Sequence, residues 1–214
     1  MNSRGAPRFI ARAAALFLSL WLAACATQQA LVIDDPDWLR HEQSVAALQE
    51  WELQGRLTVR EAGNTDTVNI NWQQLGDDFD LRLFGSLGLG AVRVHGTSRS
   101  VTVEKSGEET VTLPGLGAVT REYFGYEFPT AELLYWIRGL PAPRRAGTPT
   151  FDTNGMLATL RQNDATGLTW ELSFDRYQPL ADAAMETYLP GRIIARRDGL
   201  ELRFQVSKWA LPSP

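Results

Sequence analysis

Residues 82–95 read Arg82-Leu-Phe-Gly-Ser-Leu-Gly-Leu-Gly-Ala-Val-Arg-Val-His95, and two kinds of fold contain such a stretch. Glycines ahead of a helix cradle a phosphate, because free backbone N–H groups and the helix N-terminus face the anion. Glycines between two strands make a turn. The residues after Gly90 decide between them. Val92 and Val94 alternate with Arg93 and His95, which is the period of a strand, and no lysine lies in the loop. Upstream, Phe79, Leu81 and Leu83 alternate with Asp80 and Arg82. The phosphate reading fails, and the stretch is a strand–loop–strand unit whose loop carries Leu87 and Leu89 among Gly85, Gly88 and Gly90.

The same alternation extends in both directions. Trp51, Leu53, Leu57 and Val59 are interleaved with polar residues, as are Val68, Ile70 and Trp72. Val101 and Val103 follow, with Ser106-Gly107-Glu108 as a hairpin before Val111 and Leu113. Later strands are read from Leu168, Trp170, Leu172 and Phe174, from Ile193 and Ala195, and from Leu200 to Val206, closed by Trp209. Each strand has one apolar and one wet face, the mark of an antiparallel sheet.

Two helices punctuate this pattern. Asp35-Pro36 supplies a capping acid and a proline for the first turn, and Trp38, His41, Val45 and Leu48 predict an amphipathic helix to about Gln49. Pro129-Thr130 opens a shorter one carrying Leu133, Leu134, Trp136 and Ile137, stopped by Gly139 and Pro141. Residues 141–149 read as an extended loop. A curved sheet with a helical cover follows, since its apolar face must be buried. Periodicity does not decide whether the interior is filled or hollow.

The N-terminus is a targeting segment. Arg4, Arg8 and Arg12 precede an apolar run from Ala13 to Leu22, the form of a secretory signal and short for a spanning helix. It ends in Leu22-Ala-Ala-Cys25, and Cys25 is the single cysteine of the 214 residues. That position resembles the lipobox of bacterial lipoproteins, in which the cysteine is acylated and becomes the first residue. Ala26, rather than aspartate, then favours the outer membrane by resemblance to the enterobacterial sorting pattern. The whole chain has 21 basic and 25 acidic residues; removing residues 1–24 takes away three arginines and no acid, leaving a net charge of −7. An acidic body argues against nucleic acid and against membrane adhesion by charge. Attachment through lipid remains.

Signatures of chemistry are thin. Phe84 stands where a nucleophile elbow around Ser86 needs glycine. His41 and His95 have no metal-ligand spacing, and Asp77, Asp78 and Asp80 lack the glycine and glutamate of a calcium loop. No catalytic residue, metal or cofactor is expected. Six tryptophans beyond residue 24 suit either a core or a wide pocket for greasy ligands.

Several stretches together resemble one family. They are Trp38-Leu-Arg-His-Glu, Trp72-Gln-Gln, Ser86-Leu-Gly, Leu134-Tyr-Trp-Ile-Arg-Gly-Leu-Pro141, Trp170 to Tyr177 and Leu200 to Trp209. In this order they resemble the LolB family, the outer-membrane lipoprotein receptors of the Lol sorting system. The resemblance implies a mainly β fold: one curved antiparallel sheet forming an incomplete, half-closed β-barrel, with a short helical lid and an N-terminal helix around an apolar cavity. It implies acceptance of acylated lipoproteins from a LolA-like periplasmic carrier and their insertion into the outer membrane, with no cofactor and no covalent step. It also implies an exposed leucine in the loop aligned with Ser86-Leu87-Gly88 that touches phospholipid. The family loop commonly reads Pro-Leu-Gly; Ser86 replaces that proline, so Leu87 and Leu89 both compete for the protruding role.

The expected organisation is a signal peptide over 1–24, a lipidated tether over 25–35 anchored through Cys25 at the periplasmic face of the outer membrane, and a monomeric binding domain over 36–214. Leu53, Ile70, Trp72, Leu83, Leu134 and Ile137 are the expected lining for acyl chains, chosen from strand alternation and the lid helix. The loop Gly85, Leu87, Gly88 and Leu89 is the expected membrane contact. Two rival readings are a lipid-anchored enzyme acting on acyl substrates and a structural lipoprotein with a filled barrel.

Overall fold

The computed structural model describes residues 33, 35–85, 90–125 and 128–212. Cys25, the tether before Asp35 apart from Ile33, and Ser86, Leu87, Gly88 and Leu89 lie outside the described residues. In chain order the elements are α1 (Pro36–Ala46), β1 (Glu50–Glu61), β2 (Asn64–Leu75), β3 (Asp78–Phe84), β4 (Val92–Gly96), β5 (Val101–Lys105), β6 (Val111–Leu113), α2 (Leu116–Phe124) and α3 (Thr130–Trp136). There follow β7 (Gly147–Phe151), β8 (Leu157–Asn163), β9 (Thr169–Asp175), the small pair β10 (Gln178–Pro179) and β11 (Tyr188–Leu189), then β12 (Arg192–Arg197) and β13 (Leu200–Ala210).

Eleven strands form one antiparallel sheet in the order β6-β5-β4-β3-β2-β1-β13-β12-β9-β8-β7. The chain thus runs outward from β1 to one edge, crosses through the helices, and returns from the other edge to pair β13 with β1. The sheet does not close, as a half-closed barrel requires. Its edges are poor templates for further pairing: β6 has three residues, and β7 contains Pro149, which cannot donate a ladder bond. Opposite Gln54 and Gly55, β13 carries a bulge: Ser207 is skipped between Val206 and Lys208, and the strand bends there. A Cβ at Gly55 would lie 2.3 Å from the Gln205 carbonyl oxygen, so only glycine fits there.

Register places the two faces. Trp209, Leu53, Trp72, Leu81, Val94 and Val103 are successive cross-strand partners on the covered face. The other face is charged. One row across five strands alternates in sign, Arg161–Glu171–Arg196–Glu201–Arg60. Glu201 is 2.7 Å from Arg196, 2.9 Å from Arg203 and 3.5 Å from Arg60. Beyond β2, Asp80 meets Arg93 at 2.6 Å and Arg82 at 3.4 Å. Partial burial pushes the Asp80 carboxyl upward, but the arginine hydrogen bonds and charges outweigh it and hold it below the usual carboxylate range.

The cover is made by the helices and the β10–β11 hairpin. Asp35 caps α1 by accepting from the N–H groups of Asp37 (2.9 Å) and Trp38 (3.2 Å), as its position before Pro36 predicts. The helix ends at Ala46, however, not near Gln49. Leu48 and Gln49 turn the chain into β1, and Leu48 N–H bonds back to the Val45 carbonyl. The loop expected over 141–149 is shorter than read, because β7 begins at Gly147 and pairs with β8. Nor does Trp209 close the last strand; β13 continues to Ala210 and keeps Trp209 opposite Leu53.

α1 buries Trp38, His41 and Val45. Ring centroids of Trp38 and Phe151 are 5.1 Å apart, and those of His41 and Tyr177 6.1 Å. Among these aromatic neighbours the His41 Nε2 has no hydrogen-bond partner, and burial lowers the imidazole pKa to about 4. The folded state therefore holds His41 neutral while the unfolded chain protonates near 6.5. Stability from this group is complete above pH 6.5 and is lost as pH falls toward 4. Between pH 7.5 and 5 the loss is about 2 kcal/mol. We expect urea midpoints to fall over that interval in the wild type and to fall distinctly less in His41→Phe. Comparing the two proteins cancels the contribution of Glu42, whose carboxyl burial holds above its usual value.

Candidate functional site

The covered face is packed with the chain's own apolar side chains. Four of the six expected lining residues are neighbours on the sheet: Leu53 is opposite Trp72, and Ile70 is opposite Leu83. Leu53, Ile70 and Trp72 are buried, and Leu83 is half-buried. The other two come from α3: Ile137, at its C-cap, is buried, and Leu134 is half-buried and faces a cleft beside Leu48 and Trp51. All six belong to, or pack against, one continuous apolar cluster. Tryptophans thicken it in two places. Trp51 lies 5.3 Å from Trp72 and 5.5 Å from Trp209 between ring centroids, and Trp136 lies 5.8 Å from Trp170.

Sequence reasoning named α3 as the cover but missed what fastens it. Gln162, on β8 and almost wholly buried, uses its side-chain amide at both ends. Its oxygen accepts from Trp136 Nε1 (2.8 Å) and from the Ala142 N–H (2.9 Å); its nitrogen donates to the carbonyls of Ala142 (3.0 Å) and Arg145 (3.3 Å). Arg145 in turn reaches the buried carboxylate of Glu132 at 3.0 Å. Arg138 Nε donates to Leu134 O (3.0 Å), and its Nη1 donates to Leu48 O (3.1 Å) and Val45 O (3.5 Å). The Trp136-Ile-Arg-Gly-Leu-Pro141 stretch is thereby tied to β8 on one side and to the end of α1 on the other. Gly139 sits at φ +79°, where a Cβ would also crowd the Tyr177 hydroxyl at 3.0 Å.

α2 has fewer ties. It begins at Gly115 with no side-chain cap and ends at Gly125 in the left-handed conformation. Val119 and Thr120 are its buried residues, and Thr120 Oγ1 accepts from the Phe128 N–H at 3.1 Å. Nothing in its sequence announces a start, because neither Ser, Thr, Asp nor Asn stands at the cap.

The rim at one end of the sheet is unusually apolar. Phe84, Val111 and Leu168 are 40–44% exposed, and all three stand at the end where β3 enters the 85–91 loop. Gly85 (φ +113°) and Gly90 (φ +69°) take conformations that favour glycine at the two feet of that loop. α1 lies at the opposite end, against Phe151 and Tyr177.

Groups for covalent chemistry are scattered. His95 is on the outer face, 3.4 Å from Glu104. The Ser44 hydroxyl, near His41 on α1, donates to the His41 backbone carbonyl at 2.8 Å and so is not aligned with the ring. Among the described residues no three His, Cys, Asp or Glu side chains are grouped to hold a metal, and no helix is long and apolar enough to cross a membrane.

Comparison with known proteins gives a consistent result. The family model described as "Outer membrane lipoprotein LolB" matches residues 49–209. A protein of Marinobacter nauticus named outer-membrane lipoprotein LolB is 32% identical over 175 residues, 81% of each chain. A Cellvibrio japonicus protein of the same name is 28% identical over 198 residues, 92% of this chain and 95% of the relative. Among solved structures, a LolA superfamily protein from Nitrosomonas europaea superposes with a TM-score of 0.50 at 10% identity, covering 86% of this chain and 96% of the other. A putative outer membrane lipoprotein-sorting protein domain from Vibrio parahaemolyticus gives 0.51 at 9% identity, covering 83% and 92%. These two likenesses concern the fold.

The Gln162 hub makes a direct test of how the cover is held. Gln162→Leu leaves the Trp136 indole N–H and the Ala142 backbone groups buried without partners. We expect a loss of about 3 kcal/mol in urea unfolding, with a change in tryptophan emission in the folded state. A loss below 1 kcal/mol would show that the loop finds other partners.

Proposed function

Because the chain belongs to the LolB family of outer membrane lipoproteins, we propose that it is an outer-membrane lipoprotein receptor. It accepts acylated lipoproteins from a LolA-like periplasmic carrier and releases them into the outer membrane. One observation carries the reading: the sheet keeps most of its charges on the outer face, with Arg197 and Lys105 at strand ends as exceptions, and offers a continuous aliphatic and aromatic surface beneath a helical cover. Leu53, Ile70, Trp72, Leu83, Leu134 and Ile137 line the part that takes the acyl chains.

The energetics favour binding without chemistry. A buried methylene is worth about 0.8 kcal/mol, so a long acyl chain costs roughly 10 kcal/mol to expose. A receptor has to offer comparable apolar surface and then give the chain up to a bilayer. Neither step needs a bond to break. The scattered positions of His41, Ser44 and His95 support a binding protein over an acyl-directed enzyme.

Cys25 carries the lipid that anchors the receptor at the periplasmic face, and the 85–91 loop meets the phospholipid. The exposed apolar residues Phe84, Val111 and Leu168 support that orientation, since they put side chains suited to an interface at the same end of the sheet. Burying a leucine at the loop tip gains about 1–3 kcal/mol. That orients the mouth toward the bilayer while the lipid does the anchoring.

The deciding experiment separates the two half-reactions. Transfer of a labelled lipoprotein from loaded carrier to receptor, and from receptor to liposomes, is measured on the same preparations. We expect Leu87→Glu to accept cargo normally and to lose most delivery to liposomes. If both steps fall together, or neither falls, the loop has no separate membrane role. Cys25→Ala is expected to abolish acylation, read by mass spectrometry of the processed chain; an unmodified Cys25 in the wild-type protein would overturn the anchor.

A further inference from the structure

Arg138 carries a charge that its surroundings do not balance. It is half-buried, and burial holds its pKa below the usual arginine value. Nε and Nη1 are occupied by the carbonyls of Leu134, Leu48 and Val45. No described acid forms an ion pair with it, and Nη2 has no hydrogen-bond partner among the described residues. The C-terminal end of α1 supplies about half a negative charge through its free carbonyls. The guanidinium also lies 5.7 Å over the Tyr135 ring, and a cation partly withdrawn from water with one edge toward a cleft favours an anion there.

The same guanidinium lines a cleft of about 360 Å³ between the end of α1, α3, and the strand ends of β1 and β2. Leu48, Trp51, Leu134 and Leu140 form its apolar walls, and Gln49 stands exposed among the lining residues. Gln74, the other amide there, is engaged: it accepts from Trp72 Nε1 at 3.1 Å and donates to Gly76 O at 2.9 Å. The lining holds one cation and no acid. Its volume falls within the range of small-molecule sites.

We propose that this cleft binds an amphiphile bearing a single anionic headgroup on an apolar stem, with the headgroup on Arg138 and the stem along Leu48, Trp51, Leu134 and Leu140. This is a different ligand from the acyl groups of cargo, which carry no charge of their own, and the two sites meet at Leu134, which the cleft shares with the acyl lining. The headgroup chemistry is that of a fatty-acid carboxylate or a phospholipid phosphate, two acceptors that a guanidinium pairs with well. The proposal does not depend on the carrier or on delivery.

Replacing Arg138 is a poor test, because the side chain also joins α3 to α1. Gln49→Glu is a better one. It puts a carboxylate into the cleft lining and leaves every Arg138 hydrogen bond in place. The described fold begins at residue 33, so the chain from residue 25 with Cys25→Ala retains every described element. Native mass spectrometry and calorimetry on that chain compare three ligands of equal tail: oleate, oleoyl-lysophosphatidylglycerol and the zwitterionic oleoyl-lysophosphatidylcholine. At least one of the anionic pair should bind tenfold more tightly than the zwitterion. Preference for oleate assigns the carboxylate, preference for the phosphatidylglycerol assigns the phosphate, and preference for both leaves the headgroup class broad. In Gln49→Glu that tenfold preference should vanish with an unchanged thermal midpoint. Equal binding of all three by the parent chain, or a preference that survives in Gln49→Glu, overturns the site.

Discussion

A pleated strand sends consecutive side chains to opposite faces, and the strands of the large sheet keep their apolar phase facing the cover, with two bulges, at Gln54/Gly55 and Thr150/Phe151, as the interruptions. Everything else in this protein is arranged around that constraint. Trp72 thus lies beside Leu53 and Leu81. Where pairing sets Arg197 opposite Leu200 on the covered face, at the end of β12, the guanidinium lies over the Trp170 ring and is paired with Asp164. The burial of this surface is the main favourable contribution to folding. It is also the property a lipid-handling protein has to offer, so stability and binding draw on the same side chains.

That overlap creates a conflict, and the helices resolve it unevenly. A surface that welcomes acyl chains will be covered by the protein's own apolar residues in the absence of cargo. α3 is fixed by hydrogen bonds: the Gln162 amide, the Glu132–Arg145 pair and the Arg138 guanidinium all hold it or the loop behind it. Polar bonds of this kind are directional, and they keep α3 in one place without adding to the grease that competes with a ligand. α2, set between Gly115 and Gly125, packs on the cluster through Leu116, Val119 and Tyr123, with glycine rather than a side-chain cap at its start.

Much of the fold was legible because alternation is a strong signal in this chain. Strands around Leu53, Leu81 and Val94 are legible at nearly their observed limits, as is the capped start of α1 at Asp35. The strand around Trp72 is legible only from Val68, although it begins at Asn64, because Asn64 to Thr67 carry no apolar residue. What escaped has particular causes. β8 puts Gln162 at a position where alternation asks for an apolar residue, and its own phase breaks at Ala158, which the pairing skips between Thr150 and Phe151. α2 lacks a capping side chain, and β10 and β11 are too short to show a period. Of the site, the sheet residues Leu53, Ile70, Trp72 and Leu83 follow directly from strand phase. The role of Arg138 does not, because its partners Val45 and Leu48 lie some ninety residues earlier and are backbone carbonyls. No pattern in side chains reveals such a bond.

The alternating charges on the outer face bear on how such a sheet assembles correctly. Apolar phase alone rejects a strand that slips by one residue, since every side chain would change faces. It is blind to a slip of two, which restores grease to grease. The outer row is not blind to it. If β12 moved two residues along β13 so that Arg196 left Glu201 for the next outward position, it would meet Arg203; the same slip of β1 would set Arg60 against Arg203. An attraction worth about 0.2–1 kcal/mol at each pair becomes a repulsion of similar size. The charges thus act as a vernier on the coarse hydrophobic scale, and they distinguish the native sheet from its equally greasy near-copies while the chain is still choosing.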